Sequence, residues 1–291
     1  MAGNCSAPMP DPGAAPDKAL IGVALSGSGL LLGAHIGALQ AVADANIEIA
    51  DIAGTSGGAI IAACYAAGMR LEAMRSLYLT ADFRSLVPIS ASPIALIRLF
   101  LTKGLVNPAP FRAWLTKTLG DKTFGQTGIP CTLLASNLNT ESSQIWSTHT
   151  TPAIPLREAA FASAAFPLVF PPVFHNNNYL QDGGLYDDIP VDMLTTPNKL
   201  AVMVGGRARP IERVPSLLGL LVRDIEILFL ANNEHVLNGT ATKGTAIAYA
   251  ECKDIPIFDV NITVKTREAL IESGYQAAKD ALARFNGVQP A

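Results

Sequence analysis

Residues 49–69 read IADIAGTSGGAIIAACYAAGM, and the fold turns on this stretch. Residues 47–53 form a short apolar run, which fits a buried strand. Residues 57–69 are mostly small and fit a closely packed helix. Between them, Gly54-Thr55-Ser56-Gly57-Gly58 matches G-x-S-x-G. That pattern places a serine on a sharp turn between strand and helix, a nucleophile elbow. The flanking glycines suit a tight turn in which neighbouring backbone comes close. The helix start just after Ser56 offers unpaired N–H groups and the positive end of the helix dipole.

Upstream, residues 19–25 (ALIGVAL) form another apolar strand. A glycine cluster, Ser26-Gly27-Ser28-Gly29, follows it, and residues 33–46 show helical spacing through Ile36, Leu39 and Ala43. The order β–loop–α–β–turn–α implies a parallel sheet covered by helices, an α/β fold. Downstream, residues 71–82, 93–101 and 108–119 read as helices. A strand pair is expected at 131–137 and 143–148, a short helix at 156–163, and strands at 179–181 and 199–204. Residues 215–230 carry the clearest helical pattern, with a last strand at 255–260 and a last helix at 266–285. No internal repeat and no linker divides residues 19–291, which read as a single domain after a flexible tail of Ala, Pro and Gly at 1–18.

Composition narrows the function. The chain has 291 residues, 49% hydrophobic and 15% charged, with a net charge of −3. This excludes a disordered chain, and a nucleic-acid binder would carry a basic excess. Mean hydropathy is +0.31. Yet no apolar run reaches the length of about 18 residues that a membrane span needs. The N-terminus lacks the features of a Sec signal peptide, so the expected location is cytoplasmic or peripheral to a membrane. Cys5, Cys64, Cys131 and Cys252 form no CxxC pair, which disfavours zinc or a disulfide framework. No metal, calcium loop or organic cofactor is indicated.

Two readings fit the first glycine cluster. It lacks the third glycine of a dinucleotide fingerprint, since residue 32 is Leu32, and no Gly-Lys-Ser/Thr makes it a P-loop. What remains is a plain tight turn, or a loop whose N–H groups meet a developing oxyanion. A serine nucleophile also needs a base. None of His35, His149, His175 and His235 has a setting that marks it for a triad. Asp182, before Gly183 and Gly184, is the better candidate; its bland reading is an Asx turn. Asp187 and Asp188 stand nearby. Arg207 and Arg209 are read as loop charges or phosphate contacts.

Four segments, LSGSGLLLGAHIGALQAV, GTSGGAI, FASAAFPLVFPPV and QDGGLYDDIPV, together resemble the patatin-like phospholipase family over about residues 20–195, with a weaker echo in ESGYQAAKDAL. The resemblance implies a three-layer α/β/α fold with a mainly parallel central sheet and a Ser–Asp dyad without histidine. Ser56 would be the nucleophile and Asp182 the base. Gly27, Ser28 and Gly29, joined by Gly57, would form the oxyanion hole. The chain departs from the family loop at Ser28, where a glycine is usual, and at Leu31, where a cation is usual. Asp188 stands in place of the family's asparagine. The missing cation favours neutral lipids or small esters over charged phospholipids.

The expected function is a serine lipid acyl hydrolase acting on carboxylic esters of phospholipids or related acyl lipids. An acyltransferase or thioesterase would use the same acyl-enzyme, and a catalytically weak lipid-binding protein is the reading from another class. The partner expected is a lipid substrate in a membrane or micelle; no residue pattern names a protein activator. Residues 87–108 (VPISASPIALIRLFLTKGLVNP) read as an apolar cap with basic Arg98 and Lys103, or as an ordinary core helix. Leu31, Ile97, Phe100 and Leu101 are expected to face lipid.

Overall fold

The structure is a computed structural model that describes residues 19–89, 92–205, 217–240, 244–252 and 255–284. The expected tail at 1–18, Cys5, Arg207 and Arg209 lie outside the described residues.

The opening of the chain folds as its pattern dictates. Strand β1 (Leu20–Leu25) leads through the glycine loop to α1 (Gly33–Asp44), then to β2 (Glu48–Thr55) and α2 (Gly57–Ala66). Helices α3 (Leu71–Thr80), α4 (Phe83–Leu86), α5 (Pro93–Thr102) and α6 (Ala109–Leu119) follow, before β3 (Cys131–Asn137) and β4 (Ser142–Ser147). Next come α7 (Leu156–Ser163), a hairpin of β5 (Val173–His175) and β6 (Asn178–Gln181), and β7 (Lys199–Gly205). Helix α8 (Leu217–Thr240), strand β8 (Thr245–Glu251) and α9 (Val264–Arg284) close the described chain.

The strands join in one sheet in the order β5-β6-β3-β2-β1-β7-β8, with β4 paired to β3. The central pairs β2–β3, β1–β2, β1–β7 and β7–β8 are parallel. The antiparallel pairs lie at the β4–β3–β6–β5 side. The faces of β1 alternate. Val23 and Leu25 join the main core with α1, α2 and α9. Ala24 faces the other way with Ala53, Ala201 and Met203, against Ile189, Val191 and Leu194. The path β1–β2–β3 steps to one side of the sheet and β7–β8 steps to the other. Helices α1, α2 and α9 cover one face, where Ile225 and Phe229 of α8 also pack, and the segment 189–194 covers the other, an α/β arrangement about a mainly parallel central sheet. The strand order reverses between β1 and β7. In such sheets the ligand crevice opens at the carboxyl ends of the strands at that point.

The first and last helices touch backbone to backbone. A Cβ at Gly274 of α9 would lie 1.8 Å from the carbonyl oxygen of Ala34 in α1, so only glycine permits this approach.

The structure corrects two parts of the sequence reading. Residues 255–260 form turns instead of a strand, and Pro256 has no N–H to give a ladder. The last strand is β8, parallel to β7. Its inward residues, Ala246, Ala248 and Ala250, are alanines, which carry little strand propensity. The β5–β6 hairpin also went unread at its first strand. It closes through Asn176 (φ 46°) and Asn177 (φ 63°), positive angles suited to a tight hairpin turn.

The segment expected to form a cap carries α5. Ser92 caps it by accepting the Ala95 N–H at 3.2 Å, Pro93 begins it, and Lys103 ends it in a left-handed conformation (φ 65°). Ala95 is buried and Leu99 packs on the core. Ile94, Ile97, Phe100 and Leu101 point outward, Phe100 with 84% of its surface exposed. The ordinary core-helix reading fails because the apolar face is turned away from the core.

Candidate active site

The β2–α2 turn holds Ser56 at φ 53°, ψ −123°. A residue with a Cβ costs about 1–3 kcal/mol in such a region, so surrounding contacts must hold it. Two contacts do so. The Ser56 N–H donates to Ser163 Oγ at 2.8 Å, and that hydroxyl donates to the Leu134 carbonyl at 2.5 Å. On the helix side, a Cβ at Gly58 would sit 2.3 Å from Leu25 O. The elbow is thus pressed against the end of β1.

Ser56 Oγ donates to Asp182 Oδ2 at 2.6 Å, and both groups are buried. Asp182 follows β6, and its backbone is pinned from both sides. Its N–H donates to Ala165 O at 3.0 Å, and its carbonyl accepts from Ser136 Oγ at 2.8 Å. Its second carboxylate oxygen, Oδ1, accepts the Gly184 N–H at 2.9 Å. Asp182 thus makes the Asx-type bond on one oxygen and meets the Ser56 hydroxyl on the other. Burial pushes its carboxyl up to about 7; the hydrogen bonds from Ser56 and Gly184 oppose the rise and the Asp188 charge adds to it. A carboxyl in this range exchanges a proton with a hydroxyl near neutral pH better than an ordinary one.

The glycine loop comes to Ser56 from β1. Leu30 N–H donates to Ile257 O at 2.7 Å. Gly29 has φ +54°, and a Cβ there would lie 2.4 Å from the same carbonyl. The Gly27 N–H, expected to be an oxyanion donor, is already given to the Asp188 carbonyl at 3.0 Å. The Ser28, Gly29 and Gly57 N–H groups have no acceptor among the described residues. Leu31 does not face lipid. It is buried in the main core, because the loop turns straight into α1 and burial of a leucine there is worth about 1.5–3 kcal/mol.

Two cavities meet at Ser56. One opens beside the loop and the end of β7. Gly27, Ser28, Asp188, Phe166, Arg223 and Asn233 are among its walls. The other is apolar, with Leu32, Phe83, Phe111, Trp114 and Phe170 among its walls.

The histidines stand apart. His35 is fully buried and its Nε2 lies 2.9 Å from Ser26 O. His149 lies in the turn after β4, and the His175 ring meets Trp146 edge-on at 5.7 Å. The side chain of His235 is outside the described residues. Cys64, Cys131 and Cys252 are buried and free. Among the described residues no three metal-ligating side chains cluster, and no helix is long and apolar enough to cross a membrane. Sequence reasoning missed Ser163, His35 and Asn233. Ser163 and Asn233 reach the site across the fold, while His35 reaches Ser26 over nine residues; Ser163 stands inside the FASAAFPLVFPPV segment.

A profile described as patatin-like phospholipase matches residues 23–195, more than half of the chain. An uncharacterized protein of Acanthamoeba polyphaga mimivirus, R571, is 27% identical over 180 residues, covering 59% of this chain and 60% of its own length. An uncharacterized NTE family protein of Mycobacterium bovis is 28% identical over 189 residues, covering 64% and 49%. The chain thus spans about half to three-fifths of these relatives. Among solved structures, VipD from Legionella pneumophila superposes with a TM-score of 0.61 at 16% identity, over 94% of this chain and 68% of that one. This likeness is one of fold. The profile match, which spans the β1 loop, the serine elbow and the Asp-Gly-Gly turn, establishes that the chain belongs to the patatin-like phospholipase family.

Proposed function

We propose that this protein is a serine lipid acyl hydrolase that cleaves carboxylic esters of acyl lipids, working through a Ser56–Asp182 dyad and an acyl-enzyme. The observation that carries the reading is the 2.6 Å hydrogen bond from Ser56 Oγ to a fully buried carboxylate, at a backbone position only a held turn would keep. Asp182 accepts the Ser56 proton as Oγ attacks the ester carbonyl. The oxyanion meets the N–H groups of Ser28, Gly29 and Gly57. Loss of one such donor typically costs about 3–4 kcal/mol of barrier. As the intermediate collapses, the C–O bond breaks and Asp182 returns the proton to the departing alcohol. Water then attacks the acyl-enzyme, giving its proton to Asp182, and Ser56 leaves as the free hydroxyl with that proton. The acyl chain runs into the apolar cavity under Phe111 and Trp114.

The lipid surface meets α5. Between Asp82 and Asp121 the chain has no acidic residue, while Arg84, Arg98, Lys103, Arg112 and Lys117 supply five cations. An apolar face beside such a basic run suits an anionic membrane surface.

Treatment of the purified chain with a fluorophosphonate, followed by mass spectrometry, tests the dyad. Labelling at Ser56, lost in Ser56→Ala and slowed in Asp182→Asn, is the expected result. Labelling elsewhere, or none in the presence of lipid micelles, overturns it.

A further inference from the structure

The open cavity at Ser56 is walled by polar atoms that lack partners. Ser28 Oγ, Asp188 Oδ1 and Asn233 Oδ1 are all buried, all belong to residues lining this cavity, and none has a hydrogen-bond partner among the described residues. Unmade hydrogen bonds to buried oxygens are costly, so such a set is expected to be completed by a ligand. The carboxylate and amide oxygens accept only, and require donors.

Their placement relates them to the reaction. A Cβ at Gly27 would lie 2.3 Å from Asp188 Oδ1 and 3.5 Å from Ser56 Cβ, and one at Gly184 would lie 2.7 Å from the same Oδ1. This carboxylate oxygen is therefore wedged between the glycine loop and the Asp-Gly-Gly turn, alongside the reacting serine. Asn233 of α8 donates a hydrogen bond to the Asp188 carboxylate. Among the described residues, the other charged side chains of the cavity are Arg223 and Glu226. These two pair with each other at 3.2 Å, so among the described walls the charge left over is the negative one of Asp188. With the acyl chain in the apolar cavity, this open side receives the alcohol part of the ester.

We propose that the open cavity binds a neutral polyol, so that the preferred substrates are acyl esters of alcohols with adjacent free hydroxyls, in preference to lipids that carry a phosphate there. This rests on the dyad reading. Hydroxyls next to the ester supply the O–H donors that Asp188 and Asn233 require. A phosphate diester offers acceptors and a second negative charge, which the site opposes on both counts.

The test compares kcat/KM at pH 8 for four esters of one acyl length: a monoacylglycerol, a sugar monoester, a lysophosphatidylglycerol and a p-nitrophenyl ester. At least one polyol ester is expected to exceed the phospholipid tenfold or more; which of the two leads tells glycerol from sugar. Asn233→Ala is expected to lower the ratio of polyol ester to p-nitrophenyl ester at least fivefold. Asp188→Asn, which keeps the shape and removes the charge, is expected to raise the ratio of phospholipid to polyol ester. A phospholipid equal to or better than both polyol esters overturns the proposal, as do ratios that stay put in both variants. Turnover of the p-nitrophenyl ester, with fluorophosphonate labelling of Ser56 in a separate sample, shows that the dyad reading stands when this one falls. Absence of both overturns the two together.

Discussion

The Nε2 of His35 lies 2.9 Å from the carbonyl oxygen of Ser26. A carbonyl only accepts, so Nε2 carries the proton, and burial, which holds the imidazole down to about 4, keeps the ring neutral. Ser26 is the root of the glycine loop. Its carbonyl also accepts the Gly58 N–H at 3.1 Å. Its hydroxyl donates to Gly27 O and accepts the Val204 N–H, both at 3.0 Å. His35 is thus a positioning residue for the loop, not a base. His35→Phe is expected to lower kcat/KM about tenfold or more, against the 10²–10³ known for loss of an oxyanion donor itself. His35→Gln should recover part of the loss. Equal stability losses in both variants without any difference in rate would contradict the role.

The base is active as its anion, so kcat/KM should rise with pH through about 7 as Asp182 loses its proton. Asp188 is also pushed up to about 7 by burial, so the two aspartates titrate as a coupled pair. Asp188→Asn should turn a broad rise into a single-proton one. A rate that is flat from pH 5 to 9 would leave no place for a carboxylate base.

The same two groups govern stability. Their folded values lie above the ordinary 3.8, so their contribution is whole below about pH 4 and is lost as pH rises through about 7. His35, lowered from 6.5 to about 4, acts oppositely: its contribution is present above 6.5 and is lost as pH falls towards 4. Between pH 6.5 and 8 the aspartates therefore dominate. Unfolding free energy should fall over that interval, with a limit of about 1.4 kcal/mol per pH unit for each group. Asp188→Asn should fall less. Urea unfolding at the two pH values reads the difference directly.

At Ser56 the positive φ strains any residue with a Cβ. Ser56→Gly relieves the strain, about 1–3 kcal/mol, and loses about 0.5–1 kcal/mol through the freedom of glycine in the unfolded chain. Ser56→Ala keeps the strain. Both variants should be inactive, with the glycine variant more stable by about 1 kcal/mol in chemical denaturation. An alanine variant of greater stability would show that the turn is not strained.

On α5, Phe100→Asp with Leu101→Ser breaks up the outward apolar face at its two most exposed residues without touching the core. Binding to anionic vesicles in a flotation assay should drop at least fivefold, while hydrolysis of a soluble short-chain ester stays within twofold. Equal loss of both activities would place α5 in the fold, not at the lipid surface.

Much of this was legible locally. The G-x-S-x-G turn, the glycine loop and the Asp-Gly-Gly turn each lie within a few residues, so their chemistry and their strand-to-helix setting could be read together. Leu31 was misjudged because a loop leucine looks exposed until the direction of α1 is known. Ser163 and Asn233 were illegible for a related reason: Ser163 reaches Ser56 across 107 positions of the chain, and no local pattern encodes that contact; His35 lies nine residues from Ser26, but only the turn into α1 brings its ring back to that carbonyl. Strand β8 was hidden by its alanines, whose burial depends on α9 lying over them.

The contact of Gly274 with Ala34 bears on how the chain can be divided. The family profile ends at residue 195, yet β7 pairs with β1 and α9 sits on the backbone of α1. The carbonyl that holds the glycine loop belongs to Ile257. A shortened chain ending at the limit of the family match would expose one edge of β1 and the inner side of α1. It would also leave the glycine loop without its tether. The last third of the described chain thus supports the region that carries the family signature, holding both the glycine loop and α1 in place.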